Sequence, residues 1–279
     1  MHVRKIGPGA RFSPKTAIAS SLCVFVIGVL CMLGVFGVSS SSFAQTQAAT
    51  PAASAAPAAP AAALEGPSKS ASVPDTIQQR VLACAACHGK QGEGIRKNEY
   101  YPRLAGKPVE YLYNQLIGFR EKTRSSSPIM TYMVGALSDG YLQEIASHYS
   151  ALKPDFPTPA PSPTGAKLAL GERLVLKGDP ARDIPPCSAC HGGSLTGMLP
   201  GIPALAGLYP DYITAQMGAW KSGVRNSKAP DCMARVASRL SGEDIAAVSS
   251  YLASRSVAPD VAPAPAQSAK LPLDCGSAR

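Results

Sequence analysis

Charged residues are scarce in this chain, at 16% of its 279 positions, and aromatic residues supply only 6%, with a single tryptophan. Proline and glycine are abundant instead, at 26 and 25 residues, so much of the chain is loop or linker. Domains made of such material have thin cores, and small domains of that kind need a metal or cofactor to complete the interior. The formal charge is +9, yet no block of Lys or Arg occurs, which excludes a nucleic-acid face. Docking to an acidic protein surface is compatible with this diffuse positive charge. No convincing period-2 alternation marks a strand, and beyond residue 44 no apolar run is long enough to span a bilayer.

The long apolar run that does exist is N-terminal. Arg4, Lys5, Arg11 and Lys15 precede an uncharged stretch from Ala17 to Val38, and Ser42-Phe43-Ala44 resembles a small-residue cleavage site ahead of Gln45. Residues 1–44 therefore read as a signal peptide or an N-terminal membrane anchor, since the run is longer than the usual signal core. Either reading exports the rest of the chain and leaves room for membrane contact through this segment. Four of the 27 basic residues lie there and none of the 18 acids, so the exported part stays net positive.

Residues 45–72 are rich in Ala and Pro and read as a disordered tether. A second Pro-rich stretch makes 154–164 a linker, and 257–279 forms a loose C-terminal tail. The intervening segments, 73–153 and 165–256, are each the size of one small domain.

Those segments repeat each other. Cys84-Ala85-Ala86-Cys87-His88-Gly89 answers Cys187-Ser188-Ala189-Cys190-His191-Gly192. Pro102-Arg103-Leu104-Ala105-Gly106 answers Pro203-Ala204-Leu205-Ala206-Gly207, Tyr111 and Gln115 answer Tyr212 and Gln216, and Leu137-Ser138 answers Leu240-Ser241. Each repeat reads as helical. A short helix leads into the cysteines, over 76–83 and 168–177. A second carries Tyr111, Leu112, Gln115, Leu116 and Phe119 at helical spacing, and a third starts at the N-caps Ser138 and Ser241. The fold class is all-α, with long Gly/Pro loops between short helices.

Cys-x-x-Cys-His is the signature of covalent haem c attachment. Two thiols add to the two haem vinyl groups, and the histidine that follows is placed to ligate the iron. Cys84, Cys87, Cys187 and Cys190 are the expected attachment points of two haem c groups, with His88 and His191 as proximal ligands. A zinc site would need four ligands close together, and a redox dithiol would not require a histidine after each pair.

The second axial ligand follows by elimination. Of the remaining histidines, His2 lies in the targeting segment and His148 answers Tyr251, so His148 reads as a solvated helix face. Met133, Met198 and Met217 have no methionine counterpart. Met130 and Met233 answer each other, and the interval from His88 to Met130 equals that from His191 to Met233. They are the expected distal ligands. His plus Met fills both axial positions, which raises the reduction potential over that of a bis-His site and leaves no open position for oxygen or peroxide.

The order of Cys-x-x-Cys-His-Gly, Pro-x-Leu-Ala-Gly, Tyr-x-x-x-Gln, and Met ahead of Leu-Ser resembles the cytochrome c4 family. The resemblance covers 75–256 and implies a periplasmic tandem of two cytochrome c domains with His/Met-ligated haems. It also implies that the carbonyls of Pro102 and Pro203 receive the proximal histidine N–H, a contact that orients the ring and tunes the iron. The function implied is electron transfer, without catalysis, between a quinol-oxidising cytochrome complex and a terminal oxidase or reductase. Two alternatives stand beside it: a haem subunit of a specific dehydrogenase or oxidase, and a dihaem peroxidase, which the equal His-to-Met intervals disfavour.

Cys232 and Cys275 are the cysteines of the exported part that lie outside the haem motifs. In an oxidising compartment such a pair is expected to bridge. The bridge would fold the tail back over the second domain, beside Met233.

Overall fold

A computed structural model describes residues 75–258 and 262–278. The targeting segment and the tether lie outside the described residues. Within them the chain forms ten α-helices and no strands, only isolated backbone bridges.

In the first repeat, α1 (Ile77–Arg80) and α2 (Leu82–His88) lead in, followed by α3 (Val109–Arg120), α4 (Pro128–Val134) and α5 (Asp139–Ala151). The second repeat has α6 (Gly165–Leu176), α7 (Cys187–His191), α8 (Pro210–Lys221), α9 (Cys232–Arg239) and α10 (Gly242–Ala253). The expected leading helix over 76–83 is broken at Val81 and resumes through the cysteine motif. In the second repeat a loop through Asp179 and Ile184 separates the leading helix from the motif.

The expected third helices start where their caps place them. Ser138 Oγ accepts from Tyr141 N at 3.3 Å and Ser241 Oγ from Asp244 N at 3.1 Å. Helices α4 and α9 were not expected. Each is too short for periodicity to reveal, and each relies on its own cap: Ser127 Oγ on Met130 N, and Asp231 Oδ1 on Ala234 N.

Apolar faces then stack the helices. In the first repeat α3 packs on α4 and α5, burying Leu112, Phe119, Leu142 and Tyr149. In the second, α10 packs on α6 and α8, with Val175 and Leu252 fully enclosed. Gly171 of α6 permits that approach, because a Cβ there would stand 2.6 Å from Ala247 O of α10.

The linker and the tail, which composition alone describes as loose, are both tied down. Arg103 donates to Pro154 O (2.8 Å) and Asp155 O (3.1 Å) and stacks on Phe156, and Ala160 N bonds Ala253 O at 3.0 Å. In the tail, Ala264 exchanges backbone bonds of 2.9 Å with Gly197 and Leu199 in the loop after the second cysteine motif. Gly276 N bonds Pro230 O at 3.0 Å, and Cys232 is disulfide-bonded to Cys275. Paired backbone groups and one covalent link give this segment an anchorage that its Pro/Ala composition does not advertise.

Candidate functional site

Two equivalent sites are built around the cysteine motifs. On a helix, residues three and four apart share a face, so α2 sets Cys84, Cys87 and His88 on one side, and α7 does the same for Cys187, Cys190 and His191. Each helix ends at a glycine with positive φ, Gly89 at 85° and Gly192 at 83°, which turns the chain sharply away. The returning loop is tied to its histidine: Gly94 N bonds His88 O, and Gly197 N bonds His191 O, both at 2.8 Å. The next close approach needs glycine too, since a Cβ on Gly94 would lie 2.5 Å from Arg103 N and one on Gly197 2.6 Å from Ile202 O.

Those approaches bring a proline carbonyl beneath each imidazole. His88 Nδ1 donates to Pro102 O at 2.9 Å, and His191 Nδ1 donates to Pro203 O at 2.7 Å. With Nδ1 carrying the proton, Nε2 presents its lone pair. Burial holds both histidines below the usual imidazole range, His191 at about 4, so each ring is neutral at pH 7. A neutral, oriented imidazole is what an iron ligand must be.

The thiols are buried as well. Desolvation pushes Cys187 up to about 12 and raises Cys84 and Cys190. Such thiols are poor nucleophiles, which weighs against a redox dithiol. Among the described residues no three His, Cys, Asp or Glu side chains converge as ligands of a bare metal ion.

The surroundings fit a haem c. In the second repeat Cys187, Cys190, His191 and Met233 line one cavity, walled by apolar groups such as Leu205, Met217 and Val248. Trp220 Nε1, on a residue of the same wall, is buried without a hydrogen-bond partner among the described residues. That orphan donor suits a large apolar group bearing acceptors at its edge. In the first repeat Cys84 packs on one apolar cluster and Met130 on another, while Tyr113, Leu116 and Leu137 touch both. The structure thus brings Cys187, Cys190, His191 and Met233 together around one cavity, and sets Cys84, His88 and Met130 among the matching elements of the first repeat. His148 has no role there; it lies on α5 and meets Tyr149 edge-on.

Sequence reasoning missed three cations. Lys107, Arg124 and Arg225 are buried where the repeats meet, and Lys107 and Arg225 also line the cavity of the second repeat. One signal was available, since Arg124 and Arg225 stand apart by the same interval as Tyr111 and Tyr212.

Comparison with known proteins points to one family. Residues 185–256 match the Cytochrome c family model. A thiosulfate dehydrogenase electron acceptor from Thiomonas intermedia is 40% identical over 193 residues, 69% of this chain and 86% of that protein. Cytochrome c4 of Pseudomonas aeruginosa is 32% identical over 191 residues, covering 68% of this chain and 92% of the relative. The crystal structure of reduced cytochrome c4 from Pseudomonas stutzeri superposes with a TM-score of 0.54 at 32% identity, over 64% of this chain and 96% of that one. Carrying two complete attachment motifs, the chain belongs to the cytochrome c4 family: it is an all-α c-type cytochrome with two covalently bound haems, an electron-transfer protein and not an enzyme.

Proposed function

We propose that this protein is an exported electron carrier in which His88 and Met130 ligate one haem iron and His191 and Met233 the other. Cys84 and Cys87 hold the first haem and Cys187 and Cys190 the second, within domains at 73–153 and 165–256. Haem c supplies a one-electron iron couple. The chain's own residues fix the proximal rings through Pro102 and Pro203, exclude water with apolar walls, and fill the sixth position with a neutral thioether. The observation that carries this reading is that His191 of α7 and Met233 of α9 face one cavity, with the same interval repeated between His88 and Met130.

The electron donor under this reading is a dehydrogenase. Two relatives, at 40% and 38% identity, are named as electron acceptors of thiosulfate dehydrogenase, which makes a thiosulfate-oxidising enzyme the first donor to test. A quinol-oxidising cytochrome complex is the second, supported by the cytochrome c4 relatives. Electrons then pass to a terminal oxidase or reductase. Export rests on residues 1–44, cleaved near Gln45 or kept as an anchor on the outer face of the inner membrane. Among the described residues no helix is long and apolar enough to cross a membrane.

The test combines spectra with kinetics on the purified holoprotein. Two haems per chain by pyridine haemochrome, with low-spin spectra in both oxidation states, are expected; a high-spin ferric haem overturns the ligand assignment. Rapid reduction by thiosulfate dehydrogenase plus thiosulfate supports the dehydrogenase reading. Reduction by the quinol-oxidising complex alone moves the protein to the second.

A further inference from the structure

The first cysteine of each attachment motif packs on a core cluster of its own repeat, and the two clusters are built differently. Tyr149 of α5 stands in the first where Leu252 of α10 stands in the second. The match is structural as well as sequential: Gly106 N bonds Tyr149 O and Gly207 N bonds Leu252 O, both at 3.1 Å. Leu252 lines the cavity that also contains Cys187, Cys190 and His191, so this position belongs to the wall of the site.

The exchange is made in a pair. Leu195 is buried in the same cluster as Leu252, and the residue that answers it in the first repeat is Gly92. Both hold a positive φ, 61° at Leu195 and 69° at Gly92. A Cβ on Gly92 would stand 2.7 Å from Tyr149 Cδ1, so the first repeat gives up a side chain there to seat the tyrosine ring. The second repeat fills the same space with two leucines.

Seating a tyrosine brings in a hydroxyl. Tyr149 is only 1% exposed, and its Oη is buried without a hydrogen-bond partner of ordinary geometry among the described residues. The polar group it meets is Cys84. Burial, with Cys84 adding to it, raises this hydroxyl above the usual tyrosine range, so it keeps its proton at neutral pH. A buried donor left unmet is costly, and the sulfur can meet it. As a free thiol Cys84 carries a hydrogen of its own and can donate. Addition to a haem vinyl group bonds the sulfur to one carbon and passes that hydrogen to the other, which leaves only lone pairs to accept.

We propose that Tyr149 Oη donates a hydrogen bond to Cys84 Sγ once that sulfur is the thioether of the first haem, and that the bond tunes this haem alone. The assignment rests on the haem placement proposed above. Hydrogen bonding at the sulfur draws electron density from the edge of the ring and stabilises the reduced iron, so Tyr149 raises the potential of the first haem. Leu252 bears no donor, and the second haem has no counterpart of this bond. Two haems of the same proposed ligation are thereby made unequal.

Tyr149→Phe removes the hydroxyl and keeps the ring. The wild-type protein must first show two haems and low-spin spectra; failure there overturns the haem-site reading itself. Spectroelectrochemical titration of Y149F is then expected to lower one potential, by a few-fold in its reduction equilibrium, and to leave the other in place. The potential that Met130→Ala displaces most is the first haem's, and Y149F should lower that one. A shift confined to the other potential, or no shift with both haems attached, would overturn the proposal. Resonance Raman spectra separate donation from packing: one thioether C–S band should move after full exchange into deuterated solvent, and Y149F should abolish that sensitivity. Wild-type bands that ignore deuteration would make Tyr149 a packing residue and overturn the proposal. If Y149F does not retain the first haem, Gly92→Leu combined with Tyr149→Leu copies the packing of the second repeat. The double variant should hold both haems with the first potential lowered, and an unchanged potential or a lost haem there would overturn the tuning role.

Discussion

Cys232 is disulfide-bonded to Cys275 across a Cα–Cα distance of 5.2 Å, one residue before the proposed ligand Met233. In the first repeat Ile129 takes the place of Cys232 and stands largely exposed, so under the proposed ligation the distal loop of the second haem is strapped and, among the described residues, that of the first is not. The bridge closes a loop of 43 residues, worth at most about 4 kcal/mol in the chain-entropy model. Cys275→Ser should lower the stability of the second domain by up to that amount. In a denaturant titration followed in the visible spectrum, the thioether–iron absorption of Met233 should be lost first and that of Met130 should be unaffected. Simultaneous loss of both bands would show that the strap does not act on Met233.

Met130 packs against the cluster of Phe119, Val134 and Leu142, whereas Met133, one turn on, is more than a third exposed. Met130→Ala and Met233→Ala should each remove one of two thioether bands near the red end of the spectrum. Met133→Ala should leave both intact. A lost band in M133A would move the ligand by one helical turn.

Asp244 closes a capping box at the start of α10, accepting from Ser241 N at 2.8 Å while gripped by Arg182 at 2.6 and 3.2 Å. The Arg182 guanidinium holds this buried carboxyl down at about 2, below its usual 3.8. A depressed folded-state pKa stabilises the fold above pH 3.8, and that stability is lost as pH falls through about 2. The contribution at neutral pH is about 2 kcal/mol. Asp244→Asn should cost that much in denaturant unfolding at pH 7, and the gap between variant and wild type should close near pH 2. A gap that is independent of pH would assign the loss to packing.

Gly171 lets α6 lie against α10, where an added methyl would meet the Ala247 carbonyl and the Tyr251 side chain. Gly171→Ala should destabilise the second domain by about 2 kcal/mol through overpacking. Gly242→Ala is the control, because nothing stands within 4 Å of a Cβ there. Equal thermal midpoints for the two variants would refute the contact.

Much of the site is legible in sequence because its chemistry is local. Attachment needs two thiols and a histidine within five residues, and a helix start needs a serine at its first turn; both patterns survive in a linear reading. Duplication adds a second witness, so Met130 and Met233 stand out by their equal distance from His88 and His191. The pairing of Cys232 with Cys275 follows from compartment chemistry and a count of cysteines.

What tertiary structure alone decided is where the two repeats touch. Tyr111 and Gln115 sit at helical spacing among Leu112, Leu116 and Phe119, which reads as one apolar face. In the structure their polar ends reach Arg225 and Arg124 across the interface. Lys107 looks like an ordinary surface lysine in sequence, and burial against the other repeat makes it part of the cavity lined by Cys187, Cys190 and His191. The physical reason is range. Covalent attachment, capping and periodicity act over a few residues, whereas charge burial between domains depends on which segments meet, and nothing in the spacing of either repeat encodes that meeting.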